Sequence, residues 1–411
     1  MRIWLIKSHE PLPNNSFGDR LFRTGIFFEI LNSMNHEVIW WTSSFDHFRK
    51  KNNFNKDVDL FYGKSKIKII KTPGYSKNIS FSRLFDHLIN GLRFLIKSPK
   101  EKKPDLIICC LPIFSNSLAT YFYSKIFNVK YIIDYRDNWP EAIYEDKKGV
   151  LRLFLKFLTY PHDFMIKKIL KNAYGITSIT ENFLHLALNK SNRKKTEKDL
   201  SINIPYIPYQ KKIIESNINT EIVDFFRSKS CVYIVFVGSI SHMMKNLEFV
   251  YKSAKNIHYN DKKFKFIFCG DGDKKKIYEK KYKSKNILNT GFVNQETVTY
   301  IMKKSHIGIL PYSNTEMWHN TIPNKFVEYL SEGLYLLSSL EKGLIYDSIK
   351  NNNLGSVYSK VKEKNLTNIL YQIDLDKIKK ERFWRKSFFI KNYSKKITEK
   401  KLQSLLKKVN D

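Results

Sequence analysis

Short apolar runs alternate with longer amphipathic stretches along almost the whole chain, and no other feature restricts the fold as much. A run that is apolar at every position needs cover on both faces, whereas a stretch with a period near 3.6 residues covers one face of something else. Repeating the pair builds parallel sheets layered by helices. Strands are predicted at Arg2 to Ile6, Glu37 to Trp41, Lys66 to Ile70, Asp105 to Cys110, Lys130 to Asp134, Gly175 to Ile179 and Ile202 to Ile207. A second set is predicted at Val232 to Val237, Phe264 to Cys269, Asn286 to Asn289, Ile307 to Leu310, Leu334 to Ser338 and Ser356 to Tyr358. Each set suffices for one doubly wound α/β domain. A chain of 411 residues has room for two such cores of about 200 residues each.

The change of domain is placed where Ile204-Pro205-Tyr206-Ile207-Pro208-Tyr209 gives way to a polar stretch ending near Ser230, because proline holds the chain extended. The expected division is residues 1–210, 211–380 and a basic helical tail, 381–411. Open parallel sheets bind ligands beyond the carboxyl ends of their strands, so the site is expected on the loops that follow strands, in a cleft between two facing domains.

Composition narrows the setting. Hydrophobic residues make up 42% of the chain, enough to build cores rather than a disordered polymer. Cys109, Cys110, Cys231 and Cys269 lie in apolar runs without metal-ligand spacing, which reads as buried free thiols of a reducing compartment. Met1 leads straight into a strand, without the features of a secretory signal, and no run approaches the roughly 20 apolar residues of a membrane-spanning helix. A cytoplasmic location is expected. The net charge of +33 calls for an anionic partner or reflects the over-use of Lys, Asn and Ile that an AT-rich genome produces. Of the anionic partners a membrane surface is favoured over nucleic acid, because no basic stripe accompanies a nucleic-acid motif.

One segment carries the chemistry: Trp318-His319-Asn320-Thr321-Ile322-Pro323-Asn324-Lys325-Phe326-Val327-Glu328-Tyr329-Leu330-Ser331-Glu332-Gly333. Pro323 suits the first turn of a helix and Gly333 its C-terminal cap. The free N–H groups at such an N-terminus attract anions. A cation there, Lys325, is out of place by a few tenths to about 1 kcal/mol unless it faces an anion such as a diphosphate. Glu328, one turn on, can accept hydrogen bonds from paired hydroxyls. Read alone, the same residues also make an ordinary surface ion pair.

The wider pattern resembles the second domain of glycosyltransferase family 4, a retaining family of the GT-B fold. The resemblance rests on Phe236-Val237-Gly238-Ser239 followed by Lys245, on Phe268-Cys269-Gly270-Asp271-Gly272, on Thr290-Gly291-Phe292-Val293, on Gly308-Ile309-Leu310-Pro311, and on Pro323 to Gly333, in family order. It implies that Glu328 contacts the ribose of a nucleotide, that Lys245 meets the diphosphate, and that the backbone at Val293 touches the base. The first glutamate of the family's paired-glutamate motif is replaced by Asn320, and the family's arginine after the glycine loop by Ser239, leaving Lys325 to supply the charge. Asp271-Gly272-Asp273 reads as a glycine turn rather than a metal-binding pair, and no metal or cofactor is expected.

In the first half, the loop after the first strand holds Gly18, with Arg20 or Arg23 as forked donors for a diphosphate. Arg136-Asp137-Asn138-Trp139-Pro140-Glu141 resembles a signature of family members that build bacterial O-antigen and capsule polysaccharides. Arg136 stands where relatives carry a histidine that touches the donor sugar, and Asp137 and Glu141 are candidates for gripping hydroxyls. For both acids the competing reading is a carboxylate that caps the following helix. Two stretches, Phe81 to Lys97 and Val150 to Lys171, set apolar faces beside Lys and Arg, as membrane-surface helices do, although helices covering a sheet can look the same.

The resemblance therefore implies a retaining, metal-independent transferase that moves a sugar from a nucleoside-diphosphate sugar, a UDP-sugar, to a saccharide or lipid-linked acceptor in surface polysaccharide synthesis. The first domain would take the acceptor, and the protein would sit in the cytoplasm, on the inner face of the membrane. Two rivals remain at this point: a UDP-sugar epimerase on the same fold, and a basic membrane scaffold with a decayed site.

Overall fold

The computed structural model describes residues 1–13, 19–77, 80–145, 147–242, 244–257, 263–360 and 365–410. The chain divides into two compact units: Met1–Asn14, Leu21–Pro205 and Thr398–Asp411 form the first, Asn15–Arg20 and Tyr206–Ile397 the second. Residues 398–410 thus group with the first unit rather than with the helices preceding them. Their helix, Lys395–Asn410, is held by Lys130 Nζ donating to the Val409 carbonyl (2.7 Å) and Lys401 Nζ donating to the Ser201 carbonyl (2.7 Å).

The strands of the first unit are β1 (Arg2–Ile6), β2 (Glu37–Ser43), β3 (Phe45–Asp46), β4 (Lys51–Asn52), β5 (Val58–Tyr62), β6 (Ser65–Ile70), β7 (Leu106–Leu111), β8 (Lys130–Tyr135), β9 (Gly175–Ser178) and β10 (Leu200–Ser201). Eight of them form one sheet in the order β10-β9-β8-β7-β1-β2-β6-β5, while β3 and β4 make a small separate ribbon. All neighbours in the large sheet run parallel except the edge strand β5, which pairs antiparallel with β6. Central strands are buried along their length, which is why they read as unbroken apolar runs. Under them, Trp4 meets Trp41 edge-on at 5.4 Å and Trp41 meets Phe94 at 5.1 Å.

The second unit contains β11 (Cys231–Val237), β12 (Lys263–Cys269), β13 (Ile287–Gly291), β14 (Ile307–Leu310), β15 (Tyr335–Ser338) and β16 (Gly355–Val357). They form an all-parallel sheet in the order β13-β12-β11-β14-β15-β16. The order turns back at β11, so the loops after β11 and β14 lie beside each other at the carboxyl end, where such sheets bind ligands.

Two strand expectations need correction. Ile202 to Ile207 is not a strand: pairing ends at Ser201, Ile202 adds one last ladder bond to the Ser178 carbonyl (2.9 Å), and Pro205 and Pro208 have no N–H to continue it. The edge strand β5 was not expected, because its residues, Val58-Asp59-Leu60-Phe61-Tyr62, half-buried apart from the exposed Phe61, carry little apolar contrast. All four cysteines are buried and free. Among the described residues no helix is long and apolar enough to cross a membrane.

A buried charge quartet fastens the carboxyl end of β8. Arg23 donates to both oxygens of Asp134 (3.0 and 2.9 Å) and to the carbonyls of Ser178, Ile202 and Asn203. Arg136 donates to Asp134 (2.6 Å), Glu10 and Thr24 Oγ1 (2.8 Å). Burial alone would raise the Asp134 carboxyl, but the two guanidiniums outweigh it and hold the group well below the usual range. A depressed folded-state pKa stabilises above the ordinary carboxylate pKa of about 4 and is lost as pH falls below it. Arg23→Met, which strands half of a buried ion network, is expected to destabilise the first unit by about 3–5 kcal/mol at neutral pH. Urea unfolding measures this, and a loss under about 1 kcal/mol would contradict the structural role given to the network.

Candidate nucleotide-binding site

Two adjacent strands of the second unit, β11 and β12, are followed at once by glycine and a third, β13, ends on one, and the backbone closes up there in a way side chains would forbid. The Gly238 N–H donates to the Cys269 carbonyl and the Gly270 N–H to the Gly291 carbonyl, both at 2.8 Å. Gly238 and Gly270 have φ of +143° and +145°, a region that L side chains rarely adopt. A Cβ on Gly270 would stand 1.9 Å from the Gly238 carbonyl oxygen. The loops after β11 and β12 therefore run backbone against backbone.

The helix Asn324–Ser331 is laid over this floor. Phe326, Val327, Tyr329 and Leu330 are fully buried. The Tyr329 hydroxyl accepts the Val237 N–H (2.9 Å), and its ring fits because Gly308 in β14 has no side chain: a Cβ there would come within 2.4 Å of it. Pro323 takes the cap position rather than the first helical turn, and no side chain caps the helix. Gly333, at φ +71°, closes its other end by donating to the Leu330 carbonyl (2.9 Å).

This register sets Lys325 directly on Gly238. A Cβ on Gly238 would fall 2.0 Å from Lys325 Cε and 2.2 Å from Nζ. The ammonium lies 5.7 Å from the centre of the Phe236 ring. Among the described residues no carboxylate lies within ion-pair distance of it. Burial lowers the Lys325 pKa, the nearby Glu328 raises it, and Arg20 lowers it further. A desolvated cation beside the positive end of an uncapped helix is a place where an anion gains and the empty protein does not.

Glu328 is buried, with Oε1 2.6 Å from Arg20 Nη2, and the Arg20 guanidinium lies 5.5 Å from the centre of the Tyr206 ring. Of the two arginines considered for a diphosphate, the structure brings Arg20 to this site. It rules out Arg23 as a free donor, because that guanidinium is buried and its N–H groups are spent on Asp134 and three carbonyls. Arg136 is corrected for the same reason: its donors hold Asp134, Glu10 and Thr24. Glu141 neither caps a helix nor stands open, since both its oxygens accept from Lys190 (2.7 and 2.6 Å). Asp137 is half-buried, and burial raises its pKa.

The remaining candidates are exposed or half-buried, in loops or in the short helices Glu316–Asn320 and Asn324–Ser331. Lys245 and Ser239 are exposed in the segment between β11 and the helix Leu247–Asn256, and Val293 is half-buried after β13. His319 lines a surface pocket with Asn314, Glu316, Glu341 and Lys342, and the Asn320 amide donates to the Glu316 carbonyl (3.0 Å). Asn324 opens the helix that carries Lys325. Gly18 lies outside the described residues. Tyr329 and Gly270 escaped the sequence reading as site residues: the first looks like one more apolar helix position, and the second was read only as part of a turn.

With this geometry in place, likenesses to known proteins can be set beside it. Residues 231–371 match the family model described as Glycosyl transferases group 1. No curated protein matches the sequence. Sucrose-phosphate synthase from Thermosynechococcus elongatus is similar in structure with a TM-score of 0.70 at 12% identity, covering 99% of this chain and 98% of that one. HepE from Anabaena, solved in complex with UDP-glucose, gives 0.66 at 9% identity, covering 99% and 100%. WaaG, a glycosyltransferase involved in lipopolysaccharide biosynthesis, gives 0.55 at 12%, covering 95% and 93%. The chain has the GT-B fold, a mixed α/β architecture of two Rossmann-like units, and its residues 231–371 form a domain of the glycosyl transferases group 1 kind.

The electrostatics of the site can be tested without any ligand. Glu328→Gln is expected to lower the Lys325 pKa further and Arg20→Gln to raise it, read by NMR of the labelled lysine ammonium. Equal pKa values in the three proteins would contradict the proximity of these charges.

Proposed function

We propose that the protein is a retaining glycosyltransferase that moves a sugar from a nucleoside-diphosphate sugar, a UDP-sugar, to a saccharide or lipid-linked acceptor during synthesis of a bacterial surface polysaccharide. The observation that carries this reading is Lys325, a desolvated ammonium set on Gly238 at an uncapped helix N-terminus. The UDP-glucose bound by HepE and the lipopolysaccharide role of WaaG support the choice of donor and setting. Retention of configuration rests on the resemblance to family 4.

In this reading the diphosphate lies against the N–H groups of Asn324–Ser331 and the Lys325 ammonium. Lys245 and Arg20 add charge, Glu328 takes the ribose hydroxyls, the backbone at Val293 meets the base, and Asn320 with His319 faces the sugar. As the bond between the anomeric carbon and the phosphate oxygen stretches, negative charge grows on the leaving diphosphate. Fixed donors and cations stabilise that charge more than they stabilise the ground state. The departing phosphate oxygen can take the acceptor's proton. The pairing of Arg20 with Glu328 would open when a nucleotide arrives, each group exchanging the other for diphosphate or ribose. The first unit, with Asp137, would receive the acceptor.

The membrane reading gains a specific support. On Phe81–Lys97 the side chains of Phe81, Leu84, Phe85, Leu88 and Ile96 are exposed, and on Gly149–Asn172 so are Val150, Leu153, Phe154, Phe157 and Leu158, with Phe157 at 81%. Arg93 and Lys97 pair with Asp57 and Lys167 with Asp163, whereas Arg152, Lys156, Lys168 and Lys171 have no ion pair among the described residues. Such a face suits the surface of an anionic leaflet, each basic group adding about 1 kcal/mol.

Lys325→Ala is expected to lower turnover by about 10²–10³ with the melting temperature retained, and unchanged turnover would remove Lys325 from the mechanism. Millimolar UDP should raise the melting temperature of the wild-type protein. No stabilisation by UDP, UDP-sugars or GDP would favour the scaffold reading instead. Leu153→Asp with Phe157→Asp should abolish sedimentation with phosphatidylglycerol vesicles, and binding that survives both changes would overturn the membrane assignment.

A further inference from the structure

A second cluster of chemistry-bearing side chains lies in the first unit and takes no part in the proposed transfer. His9 follows β1, and Asp86 and His87 stand side by side on the helix Phe81–Lys97. Each offers one ligand atom, and the three atoms all lie within 4.8 Å of one another. His9 Nε2 and Asp86 Oδ2 are 3.8 Å apart, too far for a hydrogen bond.

His9 Nε2, Asp86 Oδ2 and His87 Nε2 are each buried with no hydrogen-bond partner among the described residues. Asp86 is wholly buried. Leaving one buried polar atom unsatisfied costs about 1–3 kcal/mol, so three converging ones call for a common partner. The other atoms of two of these residues are held as metal ligands require. His9 Nδ1 lies 3.2 Å from the Phe45 carbonyl, which can only accept, so the proton sits on Nδ1 and the Nε2 lone pair is free. Asp86 Oδ1 accepts the Gly74 N–H at 2.7 Å, which fixes the carboxylate with Oδ2 toward the histidines.

We propose that His9, Asp86 and His87 form a binding site for one divalent transition-metal ion of the zinc type, with one coordination position left for water or an anion. Two imidazoles and one carboxylate are the donors such ions prefer over magnesium or calcium. The 3.8 Å between the His9 and Asp86 donors approaches the spacing of about 3.3 Å expected for donors at about 2.0 Å from a tetrahedral zinc. His9 and His87 are only half-buried as residues, so an ion has a way in. Lys50 and Arg83 lie 4.8 and 5.7 Å from the Tyr75 ring centre, and Arg83 and Lys7 place positive charge near His87. His47 stays outside the ligand set because, among the described residues, only His9, Asp86 and His87 bring ligand atoms within 4.8 Å of one another. Bound there, the ion would fasten the loop after β1 to the helix Phe81–Lys97. The transfer chemistry of the second unit does not pass through it.

The test uses the full chain, freed of any histidine tag, stripped with chelator and titrated with zinc chloride by calorimetry and with cobalt chloride by visible absorption. One ion per chain is expected, with the ligand-field bands of low-coordinate cobalt. His9→Ala and His87→Ala should each weaken binding by more than the 10–100-fold typical of outer-shell changes, while His47→Ala should leave it intact. Zinc should raise the melting temperature of the wild-type chain but not of His87→Ala, and circular dichroism of that variant checks that it is folded. No zinc binding by the wild-type chain, equal binding in the His9→Ala/His87→Ala double variant, or equal loss in His47→Ala would each overturn the assignment. The first of these would mean that a buried water satisfies the three atoms.

Discussion

The contact between Lys325 and Gly238 is the constraint on which the candidate site turns. Each partner fixes the other: the ammonium occupies the volume that any side chain at position 238 would need, and the glycine lets the loop after β11 press against the loop after β12. Tyr329 makes the arrangement rigid by taking the Val237 N–H one residue before the glycine. A helix N-terminus, a desolvated cation and two closely packed glycine loops then share one small region. None is unusual alone, but together they form a polar niche with a surplus of positive potential.

That surplus explains why the Arg20–Glu328 pair matters. A buried glutamate needs a partner, and Arg20, from the beginning of the chain, provides one within the second unit. The same two groups are those that diphosphate and ribose would engage, so the pairing keeps the site satisfied and still exchangeable. By contrast, Arg23 and Arg136 belong to a closed quartet with Asp134 and Glu10, where each donor already has its acceptor. Charged residues of similar appearance in the sequence thus divide into an architectural set and a site set, and the division follows from burial and from how many donors are already used.

Much of this was legible in the sequence, and the parts that were not share physical causes. Central strands such as Leu106–Leu111 and Cys231–Val237 announce themselves because burial on both faces leaves no polar positions. The edge strand Val58–Tyr62, covered on one side only, lacks that signature, and Ile202 to Ile207 imitates it until its prolines are considered. Lys325 and Glu328 could be singled out because a lysine in the first turn of a helix is electrostatically misplaced. The neutralisation of Arg136 by Glu10, and the convergence of His9 with Asp86 and His87, depend on contacts between residues distant in sequence, and no local pattern carries them. The departures from the family pattern at Asn320 and Ser239 were visible as substitutions, and in the second unit Asn320 is half-buried and Ser239 exposed.

In the proposed reading the Lys325 niche is built for a diphosphate. The most direct measurement is the pKa of the Lys325 ammonium, followed by NMR with and without saturating UDP. A bound diphosphate favours the charged form, so the depressed pKa should rise on binding, and uridine, which lacks the phosphates, should leave it unchanged. UDP binding that leaves the Lys325 pKa where it was would contradict the claim that this cation meets the nucleotide.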